Sequence, residues 1–189
     1  MLRLFIGLEL PEAVRLALAA LRRPMAGTRW VAPENLHLTL RFLGELDGPV
    51  AREVDEVLEG LVADAFDLEI RAVGQFGSAR GSKLLWAGLA PNDQLARLAG
   101  AVDRALQRVD EVALRDAAFH AHITLARLKA PPADRVAEFL AAGASLRIPP
   151  VRVETFTLFS SRLTPDGAQY RAEADYRLGP ARQPWREHG

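Results

Sequence analysis

The sequence predicts an α+β protein: two small, mostly antiparallel sheets with helices on their outer faces. Three observations carry that expectation. Short alternating apolar segments interleave with segments of helical period, in the order strand, helix, strand, helix, strands, helix, strand, helix, strands. Each half of the chain runs from a His-x-Thr strand into a helix and further strands, as in a loose duplication. The word itself occurs twice, as "HLTLRFL" at 37–43 and "HITLARL" at 122–128.

Taken in order, "LRLFIGLEL" (2–10) reads as a buried strand. Pro11-Glu12 opens a helix to about Arg23, with Val14, Leu18 and Leu21 on one face. "GTRWVAPENLH" is rich in turn residues and leads to the first word, a strand over 36–45. Asp47 caps a helix whose Val50, Val54, Val57, Leu58 and Leu61 follow helical spacing. "FDLEIRAVGQF" and "SKLLWAGLA" read as strands joined by "GSARGS". A helix after Pro91 carries Leu95, Leu98, Ala99, Val102, Ala105, Leu106 and Val109 on its apolar stripe. "HAHITLARL" is the second motif strand. "PPADRVAEFLAAG" is a helix with Gly143 as its expected stop. "LRIPPVRVETFTLFSSRL" and "AQYRAEADYRL" read as a closing hairpin around "TPDG". The 189 residues fit one domain over 1–189 made of two lobes, with a flexible tail expected over 179–189.

Composition removes several classes of function. Net charge is zero, so no basic stripe for long nucleic acid is advertised, while a small anion held by a few arginines fits. Lys83 and Lys129 are the only lysines; the dominance of Arg reads as a coding bias and locates no site. The absence of cysteine excludes disulfides, thiolate catalysis and cysteine zinc sites. No apolar run approaches the roughly 20 residues of a membrane span, and the opening segment is too short for a signal peptide. A cytoplasmic protein is expected.

On a strand, side chains alternate faces. His37 and Thr39 then share one face and Leu38 and Leu40 the other; His122 and Thr124 are set against Ile123 and Leu125 in the same way. Each word joins a polar pair to an apolar anchor. Four His and six Thr in 189 positions give about 0.13 His-x-Thr occurrences by chance, so two that both continue into Leu are unexpected. One reading is two core strands whose polar groups satisfy each other. The other is general acid–base chemistry, since an imidazole near pKa 6.5 holds or gives a proton at neutral pH. In-line displacement at phosphorus needs a base beside the attacking oxygen and an acid beside the leaving one. Thr hydroxyls further along each strand would donate to the non-bridging oxygens.

"WVAPENLHLTLRFLGE" (30–45) and "FHAHITLAR" (119–127) resemble the two signature segments of the 2H phosphoesterase superfamily. Within it they are similar to the RNA 2′,3′-cyclic phosphodiesterases, also called 2′–5′ RNA ligases. The spacing of 85 residues (122 − 37), the opening "RLFIGLELP" and the "KLLWAGL" strand fit as well. The resemblance covers nearly the whole chain. It implies a bilobal fold with a pseudo-twofold axis and a central cleft. It implies hydrolysis of a 2′,3′-cyclic phosphate to a 2′-phosphate, with no cofactor and no metal. It makes His37 the proton donor and His122 the proton acceptor, although pseudo-symmetry makes the swap physically cheap. It makes Thr39, Thr124 and Arg127 the phosphate-binding residues. The implied partners are RNA 3′ ends or small nucleotides with a cyclic phosphate; no membrane is involved, and a monomer is expected. The reverse reaction, joining such an end to a 5′-hydroxyl, and a non-catalytic RNA-end or nucleotide-binding module are the alternatives.

Other residues were open to two readings. His120 and His122 could share a metal, but no third ligand follows in the sequence; strand entry or cleft rim suits His120 better. His188 falls in the tail. Arg41 falls on the His/Thr face by alternation, so it either holds phosphate or pairs with an acid. Trp30, Phe42, Phe76, Trp86, Phe156, Phe159 and Tyr170 are candidates for a base-stacking platform, most of them expected in the core, with Phe156 and Tyr170 preferred. Ser160, Ser161 and Arg162 are candidates for the cleft mouth.

Overall fold

The apolar opening segment forms β1 (Leu2–Glu9), with Leu4, Ile6 and Leu8 buried. The computed structural model describes residues 1–77, 84–113, 118–164 and 167–179. After β1 come α1 (Glu12–Ala19), β2 (Thr28–Trp30), a 3-10 turn at Pro33–Asn35, β3 (His37–Leu46) and α2 (Gly48–Glu59). Then follow β4 (Phe66–Phe76), β5 (Leu84–Leu89), α3 (Asp93–Leu106), β6 (Ile123–Leu128) and α4 (Ala133–Gly143). The chain closes with β7 (Arg147–Val153), β8 (Thr155–Thr164) and β9 (Gly167–Arg177).

The α+β expectation holds, and the pairing is antiparallel throughout. The expected pair of sheets differs in one respect. Among the described residues hydrogen bonding joins nine strands, in the order β7-β4-β5-β6-β3-β1-β8-β9, with β2 also on β6. The joint between the two halves is thin: β3 and β6 share a single bridge, Leu38 to Ile123. Both of these residues are fully buried.

Capping and packing explain the helices. Asp47 Oδ1 accepts from the Val50 amide (3.0 Å) and Asn92 Oδ1 from the Leu95 amide (2.8 Å), each satisfying a donor that the first turn leaves open. Val50, Val54 and Leu58 of α2 and Leu95, Leu98, Ala99 and Val102 of α3 are buried in one core with Leu38, Leu40, Ile123 and Leu125. Gly143 is the last residue of α4, with Ala144 as the cap, and packing also calls for a glycine there: a Cβ would lie 2.2 Å from a methyl of Val73 on β4.

Three expectations change. Helix α1 stops at Ala19, because the Leu21 and Arg22 amides turn back to the carbonyls of Leu18 and Ala19 in a tighter turn. The turn-rich approach to the first motif contains a strand, β2, too short for a periodic signal. The segment 146–163 is not one hairpin arm. It divides at Glu154 into β7, which pairs with β4 at a sheet edge, and β8, which pairs with β1 and β9. Pro149 and Pro150 lack the N–H a central strand must donate, which confines β7 to an edge. β8 and β9 do form the closing hairpin; part of "TPDG", most of "GSARGS", His188 and nearly all of the tail lie outside the described residues. Among the described residues no helix is long and apolar enough to cross a membrane.

Candidate active site

Each motif histidine stands where its strand begins, and each is fixed in the same way. The His37 Nδ1–H donates to the carbonyl of Asn35 (2.8 Å), and the His122 Nδ1–H donates to the carbonyl of His120 (2.7 Å). In both cases the acceptor lies two residues upstream. A proton held on Nδ1 leaves Nε2 of the neutral ring as the basic nitrogen. Asn35 is itself anchored, its side-chain amide donating to the Ala168 carbonyl of β9 (2.7 Å). His120 thus serves at the strand entry, through its backbone.

An aromatic ring meets each imidazole edge-on. Tyr170 does so at His37 (5.1 Å between centroids, 87°) and Phe76 at His122 (5.0 Å, 89°). His37 also lies 4.7 Å from Phe5, which stacks on Phe159. Burial among these rings pushes the His37 pKa below the ordinary 6.5; its bond to Asn35 opposes the shift, and the nearby charge of His122 adds to it. The two histidines are therefore close enough to feel one another.

The antiparallel bridge between Leu38 and Ile123 places Thr124 across from His37 and Thr39 across from His122. Thr39 Oγ1 is 2.9 Å from His37 Nε2 and donates to it while the ring is neutral. His37, Thr39, Thr124 and Arg127 line one cleft of about 480 Å³, with Phe5, Phe42 and Tyr170 on its wall. His122 lies outside the residues lining that space.

Arg127 reaches the cleft only because β6 is irregular. In the pairing with β5, Leu85 faces Ala126 and Trp86 faces Thr124, so Leu125 is an extra residue. The same occurs in β3: Ile6 faces Arg41 and Gly7 faces Thr39, leaving Leu40 extra. Each motif thus carries a bulge at the Leu after Thr. A bulge reverses the alternation beyond it. Strict alternation from Thr124 would have turned Arg127 away from the cleft; the bulge turns it in. In β3 the same shift turns Phe42 into the cleft, 68% exposed, and Arg41 toward α3. There the Arg41 Nε lies 3.8 Å from the Asp103 carboxylate, and its guanidinium donates to the Ala113 carbonyl. Of the two readings of Arg41, pairing with an acid is the one that holds.

Phe156 is 0% exposed and stacks on Tyr176 (4.8 Å), so it belongs to the core and leaves the base-stacking candidates. Tyr170 does line the cleft, as does Ser161, while the Ser160 hydroxyl donates to Glu173 (2.6 Å). Phe42 and Phe76, two of the wider set of aromatic candidates, do reach the site, Phe42 on the cleft wall and Phe76 against His122. Phe5 and Arg29 were not singled out from sequence, Arg29 because β2 is short. Phe5 had one signal, its place between core residues of an alternating strand.

Two His-x-Thr words thus stand on neighbouring strands, and the first of them opens on an arginine-bearing cleft. The sequence matches the LigT-like phosphoesterases over residues 8–86 and 88–170, one His-x-Thr word in each segment. The chain belongs to this family of enzymes. It is 30% identical over 173 residues to an RNA 2′,3′-cyclic phosphodiesterase of Archaeoglobus fulgidus, covering 90% of this chain and 97% of the relative. It is 35% identical over 186 residues to an RNA 2′,3′-cyclic phosphodiesterase of Thermus thermophilus, covering 89% and 86%. The structure of E. coli LigT complexed with 3′-AMP superposes with a TM-score of 0.72 at 26% identity, over 94% of this chain and 98% of that one.

Proposed function

We propose that the chain hydrolyses the 2′,3′-cyclic phosphate at an RNA or nucleotide end to a 2′-phosphate, by general acid–base catalysis from two histidines and without a metal. The observation that carries this reading is the matched tethering of His37 and His122 at Nδ1, which supports the Nε2 of each ring as the proton-transfer atom. The names of the relatives and the 3′-AMP bound by E. coli LigT support the substrate class.

In this mechanism a water oxygen bonds to phosphorus as its proton passes to His122 Nε2. The bond from phosphorus to the 3′ oxygen breaks, and that oxygen takes the proton from His37 Nε2. His122 ends protonated and His37 neutral, and exchange with solvent resets both. Burial keeps free His37 neutral; the anion of an arriving phosphodiester favours its charged form, with Thr39 Oγ1 then accepting from Nε2–H. A buried imidazolium with a lowered pKa is also the stronger acid, which suits it to the leaving oxygen. Thr39, Thr124 and Arg127 donate to the non-bridging oxygens, where charge grows in the transition state. With a 5′-hydroxyl in the place of water, the same steps form a 2′–5′ bond and leave a free 3′-hydroxyl; the high concentration of water favours hydrolysis. A monomer acting in the cytoplasm completes the proposal.

The test is incubation of EDTA-treated protein with 2′,3′-cyclic AMP and with a short RNA ending in the cyclic phosphate, read by phosphorus NMR. The 2′-phosphate is the expected product. A 3′-phosphate would overturn the choice of leaving oxygen, and no product from either would overturn the reaction.

A further inference from the structure

Arg29 of β2 and Arg127 of β6 are direct partners across their antiparallel pair, and both line the cleft. Like charges in that position repel and destabilise the pair. A second opposed pair, Arg71 and Arg147, shows how the fold otherwise handles this repulsion. Glu69 lies beside it, holding Arg71 through two bonds of 2.5 and 2.7 Å, and its carboxyl is shifted down by Arg71 and then by Arg147. Arg29 and Arg127 have no such neutraliser: neither makes an ion pair with a carboxylate among the described residues. Nor, among the described residues, does any carboxylate line the cleft, in a chain with as many acidic as basic residues. The uncompensated pair is thus the one that faces the reaction space.

We propose that Arg29, with Arg127 opposite it, binds a second phosphate: the one on the 5′ oxygen of the nucleotide that carries the cyclic phosphate. The inference rests on the phosphodiesterase reading above and adds a subsite to it. Thr124 and Arg127 face Trp86 and Leu84, two residues apart on β5, which sets Arg127 about 7 Å beyond Thr124 at roughly 3.3 Å per residue. A guanidinium there can extend past the reacting phosphate by the width of a ribose, and its five donors allow it to fork between two phosphates. Arg29, one strand further out, serves the second phosphate alone. Recognition of that phosphate would make the enzyme select RNA ends over bare cyclic mononucleotides.

Three substrates test this: a nucleoside 2′,3′-cyclic phosphate, the same compound with a 5′-phosphate, and a dinucleotide ending in the cyclic phosphate. Arg29→Ala is expected to lower kcat/KM about tenfold or more on the dinucleotide, the scale of a lost charged hydrogen bond, and to leave the first substrate unchanged. Loss on the 5′-phosphorylated mononucleotide as well would identify any 5′-phosphate as the ligand; loss on the dinucleotide alone would identify the RNA phosphodiester. Arg29→Glu should lose more, although it turns a repelling pair into an attracting one, and neither variant should melt below wild type. An unchanged ratio between substrates, with active wild type, overturns the subsite alone. Wild type inactive on all three overturns the phosphodiesterase reading together with it.

Discussion

The two motif strands spell nearly the same word and build different environments from it. In both, the histidine Nδ1 is held by the carbonyl two residues upstream, an aromatic edge meets the ring, and a bulge follows the threonine. In the first, His37 is packed among Phe5, Phe159 and Tyr170, its Nε2 bonded to Thr39, and burial lowers its pKa. In the second, the bond that holds His122 is exposed. Five residues past each histidine stand Phe42 and Arg127; four past stand Arg41, paired with Asp103, and buried Ala126. A shared backbone device aims the imidazoles, and unshared neighbours make them chemically unequal. That inequality is what the proposed acid and base would need.

Removing either imidazole is the strongest way to probe the comparison. His37→Ala and His122→Ala should each lower kcat by about 10²- to 10⁴-fold, the usual yield of general acid–base catalysis, with folding retained by circular dichroism. The residual pH–rate profiles sharpen it. Loss of the base should remove the acidic limb and loss of the acid the alkaline limb, and the opposite pattern would exchange the proposed roles. Next in size is Arg127→Ala, worth about 1.5–3 kcal/mol if its guanidinium binds phosphate. It should raise KM and flatten the salt dependence of kcat/KM; an unchanged KM would place Arg127 outside binding. Thr39→Val and Thr124→Val should each cost about 1 kcal/mol, roughly fivefold in kcat/KM. Only Thr39→Val should also move the pH profile, because Thr39 alone of the two touches an imidazole in the structure; identical profiles for both variants would erase that distinction.

The smallest effect is on stability. With its pKa lowered by folding, His37 binds fewer protons in the folded than in the unfolded protein. Above the ordinary 6.5 it carries no penalty; as pH falls below 6.5 toward the folded pKa, stability is lost. The drop in thermal midpoint from pH 8 to pH 5 should therefore be smaller in His37→Gln than in wild type. Equal drops would remove burial as the cause of the inequality.

Much of the site was legible because it is written locally. A repeated His-x-Thr-Leu needs no knowledge of the fold, and alternation correctly placed Leu38, Leu40, Ile123 and Leu125 in the core. What stayed hidden depends on the partner strand. A bulge is a property of a pairing, so neither the entry of Phe42 into the cleft nor the turning of Arg41 away from it follows from one strand's period. Phe156 and Tyr170 lie on adjacent strands, and it is the tertiary packing of that pair that puts one ring in the core and the other in the cleft. The split at Glu154 had a local sign in Pro149-Pro150, whose meaning as an edge becomes plain once β4 is known to be its partner.

The lone bridge between β3 and β6 has a further consequence. Leu38 and Ile123 carry no polar side-chain atom, are 0% exposed, and lie immediately beside His37 and His122 in sequence. The two histidines are thus joined through a purely aliphatic pair at the core side of the bridge. Trimming or enlarging either side chain would change the support beneath both imidazoles without altering any polar group, so their relative placement is open to adjustment from inside the core.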